Sequence, residues 1–278
     1  MLDAVVTRFS WHHLGQWNLD PVPTALIVVA GAIYLVAAAR ASWPTSRRIF
    51  FTLGLVVTFL AVESVIGTFD SVYVSDHMVQ HLMLIMVAAP LFALGAPLDL
   101  AHAAGGDRVR RVLDGRAAAL VLHPLTAFAL YAGFIPLTHL TGFFDLTLEH
   151  EPLHNLEHVA FLVVGYLFFR SAFGLERGRS LHPGLRLVYV MAAVPVDTIT
   201  GLAMSMTSHN PYPYLPRVAP TGASASWILS NVHLGGAIMW IGGDALMLLA
   251  CIPIAVTWVK WETVRTRELD ALLDAQGI

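Results

Sequence analysis

The segment Asp76–Pro97 reads DHMVQHLMLIMVAAPLFALGAP. It opens with two histidines, His77 and His81, four positions apart, a spacing that puts both on one face of a helix. From Leu82 to Pro97 it carries no charged residue. The apolar run over residues 78–98 reaches the roughly 20 residues that a bilayer-crossing helix requires. A histidine pair therefore sits at the end of a membrane span.

Six further apolar runs lie near 23–39, 49–69, 117–138, 155–172, 186–207 and 227–258. Composition supports reading them as spans. Of 278 residues, 56% are hydrophobic and 13% charged, with a mean hydropathy of +0.67, whereas soluble domains carry about 25% charged residues. Backbone groups in lipid must satisfy one another, so the runs are expected to be helices. The expected fold is an all-α membrane protein, a single seven-transmembrane helix bundle over residues 1–278. Pro90, Pro136, Pro195 and Pro253 fall inside or near the ends of spans, where kinks are expected. Gly201, Gly235-Gly236 and Gly242-Gly243 are small enough to let helices approach closely.

Several function classes drop out. A formal net charge of −3 suggests no nucleic-acid partner. Cys251 is the sole cysteine, which leaves no internal disulfide or cysteine-pair metal site. No nucleophile–base motif, phosphate-cradling glycine loop or dinucleotide fingerprint is present. The first twenty residues lack the basic-then-apolar pattern of a cleavable signal peptide.

Basic residues set the expected orientation. Fourteen of the sixteen Lys and Arg fall in the first, third and fifth connections and the C-terminal tail; Arg8 and Arg217 are the exceptions. The positive-inside rule then places the N-terminus outside and the C-terminus in the cytoplasm.

The thirteen histidines divide the other way. His12, His13, His77, His81, His139, His150, His154, His158, His209 and His233 all map to the outer side; His102, His123 and His182 do not. His154 and His158 repeat the four-residue spacing of His77 and His81, and His150 extends that row by one turn. Two such pairs on separate helices in one leaflet can converge on a metal ion. At 1.5 Å per residue, Glu63, His81, His158 and His233 each lie roughly 5–10 Å below the outer surface, with Met204 and Met206 slightly shallower. The candidate metal ligands are His77, His81, His154, His158, His233, Met204, Met206, Glu63 and His150. Imidazole with thioether suits copper, Cu(I) above all, although imidazole also suits zinc and iron. Asp76 and Glu157 can serve as ligands or orient a neighbouring imidazole. Met83, Met86 and Met247 read as packing. Asp197 and Asp244 lie deeper, and read either as hydrogen-bonding links to neighbouring helices or as part of a proton or ion path. The loop His209–Pro216, HNPYPYLP, is stiff and aromatic, either an interfacial belt or a docking surface.

The run Asp76–Pro97 resembles the third-span signature of CtaG-type cytochrome c oxidase assembly proteins. His123-Pro-Leu, Leu153-His-Asn-Leu-Glu-His158, Tyr212-Pro-Tyr and Leu234-Gly-Gly-Ala-Ile-Met-Trp-Ile-Gly-Gly243 are similar to that family as well, so the likeness covers nearly the whole chain. It implies a seven-span bacterial membrane protein associated with copper delivery to, or maturation of, haem–copper oxidases. The family's histidine motifs carry over to His77, His81, His154 and His158. Where the family pattern has Asp-Gln-Gln ahead of the Gly-Gly of the last span, this chain has Asn231-Val-His233.

The expected function is a copper-binding assembly factor, a metallochaperone rather than an enzyme. It would hold copper at the outer leaflet and pass it by ligand exchange to a haem–copper oxidase subunit in the bilayer, with a periplasmic or extracellular copper carrier as a further partner. A b-type haem carrier using His81 with His158 or His233, a metal or proton transporter through Asp197 and Asp244, and a scaffold with incidental histidines are the alternatives.

Overall fold

The computed structural model describes residues 15–176 and 180–276. Among these residues every regular element is helical. Six helices among the described residues are long and apolar enough to cross a membrane, and a bent pair makes a seventh if it counts as one span. The protein is thus a multi-pass membrane protein.

α1 (Pro21–Arg40) starts where Asp20 accepts from the Val22 N–H, with proline in its first turn, a position where the missing donor costs nothing. α2 (Thr45–Glu63) stops at Ser64, whose extended backbone and side chain begin the short α3 (Val65–Phe69). The third crossing is α4 (Val74–Leu82), a π-helical turn at Met83–Ala88, and α5 (Ala89–Gly95). It ends at Ala96, left-handed at φ 51°, and Pro97 opens α6 (Pro97–Ala104).

The fourth crossing differs from its expected start near residue 117. α7 (Asp107–Leu113) and α8 (Arg116–Val121) are separate short helices, and the apolar helix α9 begins at Pro124 and runs to His139. Proline disfavours helical backbone in the residue before it. His123 is accordingly extended at ψ 134°, and its ring accepts from the Leu125 N–H. α9 has 16 residues, and α10 (Phe143–Glu149) bends from it by 65°. The last crossings are α11 (Glu151–Phe173), α12 (Pro183–Ser205) and, after the short α13 (Leu215–Val218), α14 (Ala225–Ala237). A second π-helical turn at Ile238–Gly242 joins α14 to the long α15 (Gly243–Gln276). π turns displace side chains from the regular helical row and recur at functional sites.

The two ends of the bundle are built differently. At the arginine-rich end, Arg170 donates to the Leu122 carbonyl and Arg186 to the Phe173 carbonyl, the latter at 2.7 Å. Both side chains are buried. These two members of the basic set therefore close helix ends, satisfying carbonyls that a helix leaves unpaired. Glu176 belongs to the same end, accepting from Leu98 N–H and the Tyr166 hydroxyl.

Glycine sets the tightest crossing. A Cβ on Gly201 of α12 would lie 2.6 Å from the Gly236 carbonyl oxygen and 2.8 Å from the Trp240 nitrogen. Both are backbone atoms, so relief requires the helices to separate. Gly201→Ala should cost about 1–3 kcal/mol, read as a lower thermal midpoint in detergent; an unchanged midpoint would contradict the crossing.

Burial pushes the Glu176 carboxyl up to about 7, against the opposing hydrogen bonds from Tyr166 and Leu98. The folded state therefore holds this proton more tightly than the unfolded chain does. Its contribution to stability is complete below the ordinary Glu value of 4.5 and is lost as pH rises through about 7. Thermal midpoints should fall across that interval, and Glu176→Gln should flatten the fall.

Candidate metal centre

Four segments converge at the histidine-rich end: the turn carrying Asp70, the first turns of α4 (His77, Gln80, His81), the last residue of α9 (His139) and the first turns of α11 (His154, Glu157, His158). The i, i+4 spacing puts each histidine pair on the face of its helix turned into the bundle. The rings pack closely, with centroids 3.9 Å apart for His77–His81, 4.4 Å for His154–His158 and 5.3 Å for His77–His154.

Carboxylates lie between the rings. Glu157 Oε2 is 3.8 Å from both His77 Nε2 and His81 Nε2. Asp70 Oδ2 is 3.7 Å from His154 Nε2 and 3.9 Å from His158 Nε2. Burial pushes the Asp70 carboxyl upward, while His154 and the Gln80 amide act against that shift. Gln80 spans two members of the group. Its amide nitrogen donates to Asp70 at 2.7 Å, and its oxygen lies 2.8 Å from His158 Nε2.

The tautomer of His139 follows from its surroundings. Its Nδ1 is 2.9 Å from the Ile135 carbonyl, which can only accept, so Nδ1 carries the proton. The Nε2 lone pair is left facing His81 Nδ1 at 3.3 Å. A backbone carbonyl that fixes one ring nitrogen and frees the other is the usual support of a metal-ligating histidine.

Three groups among the described residues have ligand atoms within 4.8 Å of one another: His77–His81–His139, Asp70–His154–His158, and His77–His154–Glu157. Both ring nitrogens of His77, Nε2 of His81, Nε2 of His154 and both oxygens of Glu157 are buried without a hydrogen-bond partner. Such atoms cost about 1–3 kcal/mol each when nothing compensates them. Their concentration at one place fits a site whose missing partner is a cation.

Walls of this site are aromatic. Phe161 stacks on His81 at 3.7 Å and Phe144 meets His77 edge-on at 4.6 Å. The proline-rich loop does not project as an interfacial belt at Tyr212. That residue is buried, touches Phe144, and donates its hydroxyl to the His139 carbonyl at 2.8 Å. Below the rings, Met78, His81, His139, Asp197 and Met239 line a cavity of ≈ 10 Å³, room for about one water.

Other expected ligands lie outside these groups. Glu63 is fully buried, but it accepts from the Asp20 N–H and the Thr24 hydroxyl and ties α1 to α2. His233 has its Nε2 at 2.8 Å from the Thr207 carbonyl. Met204 is buried against Gly236, whereas Met206 is 74% exposed. His150 is exposed at the start of α11, and His12 and His13 lie outside the described residues. Asp76 belongs to none of the three groups. Conversely, His139, Asp70 and Gln80 enter the site without standing among the expected ligands. His139 has no histidine one turn away to flag it, and Asp70 lies in a turn with no helical register. The usable signal for His139 was its placement on the outer side.

A family model described as "Cytochrome c oxidase caa3 assembly factor (Caa3_CtaG)" matches residues 29–261. The chain belongs to this family of assembly factors. Curated relatives include an uncharacterized protein of Mycobacterium leprae (strain TN), 26% identical over 88% of this chain and 40% of its own length. Uncharacterized proteins of Mycobacterium bovis and Mycobacterium tuberculosis are each 28% identical over 92% of the chain and 41% of their own length. The chain thus spans about two-fifths of the curated relatives it matches. No solved structure matches it. The histidine end of the chain contains the segments whose residues resemble that family, Asp76–His81 and Leu153–His158.

Deeper polar residues of the chain are partnered. The Tyr131 hydroxyl donates to Asp197 at 2.7 Å, and the Thr198 hydroxyl lies 2.9 Å from Asp244. These bonds link α9 to α12 and α12 to α15, as the helix-linking reading expects. Tyr131→Phe removes the donor to buried Asp197 and should cost about 1–3 kcal/mol, measured as a lower thermal midpoint; an unaltered midpoint would show that the bond contributes nothing.

Proposed function

We propose that this assembly factor binds copper in its buried histidine cluster at the outer leaflet of a bacterial cell membrane and passes it to a haem–copper oxidase subunit. The observation that carries the reading is the set of unpartnered imidazole nitrogens, packed beside Glu157, in a chain of an oxidase assembly family. Uncharged imidazoles are soft enough for Cu(I), and the adjacent carboxylates offset its charge. The outer orientation rests on the positive-inside distribution of arginines. Copper is cargo here. Release needs only exchange of one ligand for another, and His154 and His158 are the histidines of the cluster nearest the surface, with side chains 11% and 10% exposed.

Packing around the cluster favours a bare ion over haem. Phe161 and Phe144 lie flat or edge-on against the rings, and the adjoining cavity has room for about one water. Asp197 and Asp244 are engaged with Tyr131 and Thr198, which favours a holding site over a continuous ion path.

Metal analysis of the purified full chain tests the reading. The wild-type chain should contain copper, and His81→Ala and His158→Ala should each lower its content. Gln80→Leu, which unties Asp70 from His158, should weaken copper binding about 10–100-fold. Copper that is absent, or unchanged in both histidine variants, would refute the assignment.

A further inference from the structure

Resting on the copper reading above, we infer that the cluster is two adjoining cation positions joined by a crossing point. The first position is Asp70–His154–His158 and the second is His77–His81–His139. They share no residue, so both can be filled at once. The remaining group, His77–His154–Glu157, takes one histidine from each.

The two positions differ in exposure, donor type and support. Side chains of the first are 7% exposed at Asp70, 11% at His154 and 10% at His158. His77 and His81 of the second are 0% and 4% exposed. One position has a carboxylate and two imidazoles, the other three imidazoles. Each is anchored separately: the first by Gln80, which holds Asp70 and His158, and the second by the Ile135 carbonyl, which orients His139.

Charge fits double occupancy by a monovalent ion. Two Cu(I) ions bring two positive charges among groups that include the carboxylates of Asp70 and Glu157. Imidazoles add none while neutral. Buried charges are tolerated when compensated nearby, and each position has one carboxylate in it or beside it.

The shared histidines define a path. An ion in the first position keeps His154 while it exchanges Asp70 and His158 for His77 and Glu157. It then keeps His77 while it exchanges His154 and Glu157 for His81 and His139. A donor is retained at every exchange, so the ion never stands bare in an apolar environment. The steps involve no change of oxidation state.

Anaerobic titration of the purified full chain with Cu(I), in competition with a chromophoric Cu(I) chelator, tests this. The wild-type chain should bind two ions, and His139→Ala and Asp70→Asn one each. A wild-type chain that saturates at one ion, or a single one of these substitutions that removes both, would overturn the two-position arrangement; the wild-type count decides this even if a variant fails to fold. A wild-type chain that binds a single ion, lost in His81→Ala, would leave the copper reading standing alone, whereas no bound ion at all would remove both. Loading time courses address the crossing. In Glu157→Gln the second ion should load more slowly relative to the first than in the wild-type chain; an unchanged ratio of the two loading rates would rule out passage through Glu157.

Discussion

Glu157 is the constraint around which the rest of the structure is arranged. It is a carboxyl group held inside the helix bundle, with neither oxygen hydrogen-bonded and two imidazole nitrogens at 3.8 Å. A group like this is expensive in an apolar environment. It persists only if the surrounding helices are locked well enough that local collapse cannot relieve it. That locking is visible at several points. Gly201 and Gly236 bring α12 against α14, and Gly235 lets α14 close on Val74 at the start of α4. Tyr212 pins the end of α9 from the loop side, and Asn231 accepts from the Val74 N–H at 2.6 Å to fix the start of α4. Helices outside the site are thus tied to one another at close range.

Much of this was legible in the sequence. Hydropathy alone located the long apolar helices, except for the start of the fourth, and the four-residue spacing of His77–His81 and His154–His158 gave the faces that converge. Periodicity reports what shares a face of one helix; it is silent on which neighbouring helix that face meets. His139 illustrates the limit. It is a lone histidine at a helix end, and its role depends on the bend between α9 and α10 and on the Ile135 carbonyl. Asp70 is likewise brought in by the turn after α3.

Depth was the weaker guide. Glu63 and His233 sit at suitable heights, yet Glu63 is turned to Asp20 and Thr24, and His233 to the Thr207 carbonyl. Height along a helix axis leaves rotation about that axis free, and rotation decides whether a side chain reaches the site. Arg170 and Arg186 make a parallel point about charge counting. Both enter the orientation argument as basic residues of a connection, and in the folded chain they are buried and bound to helix-terminal carbonyls.

The two π-helical turns bear on why the site can be both rigid and accommodating. Each inserts an extra residue into its helix, at Met83–Ala88 and Ile238–Gly242, just past the segments that carry His81 and Gly236. The register of the histidine end is thereby uncoupled from that of the arginine end on both helices. Met78, His81 and Met239 meet Asp197 at the small cavity between the turns. Regular helices would have to choose between packing their lower halves and aiming their upper halves. The inserted residues remove that choice: α4 can present His77 and His81 to α11 while α5 keeps its own contact with α2. The polar end of the bundle then owes its geometry to irregularities in the apolar middle, which explains why helical periodicity read along either span recovers each end by itself but not their relation.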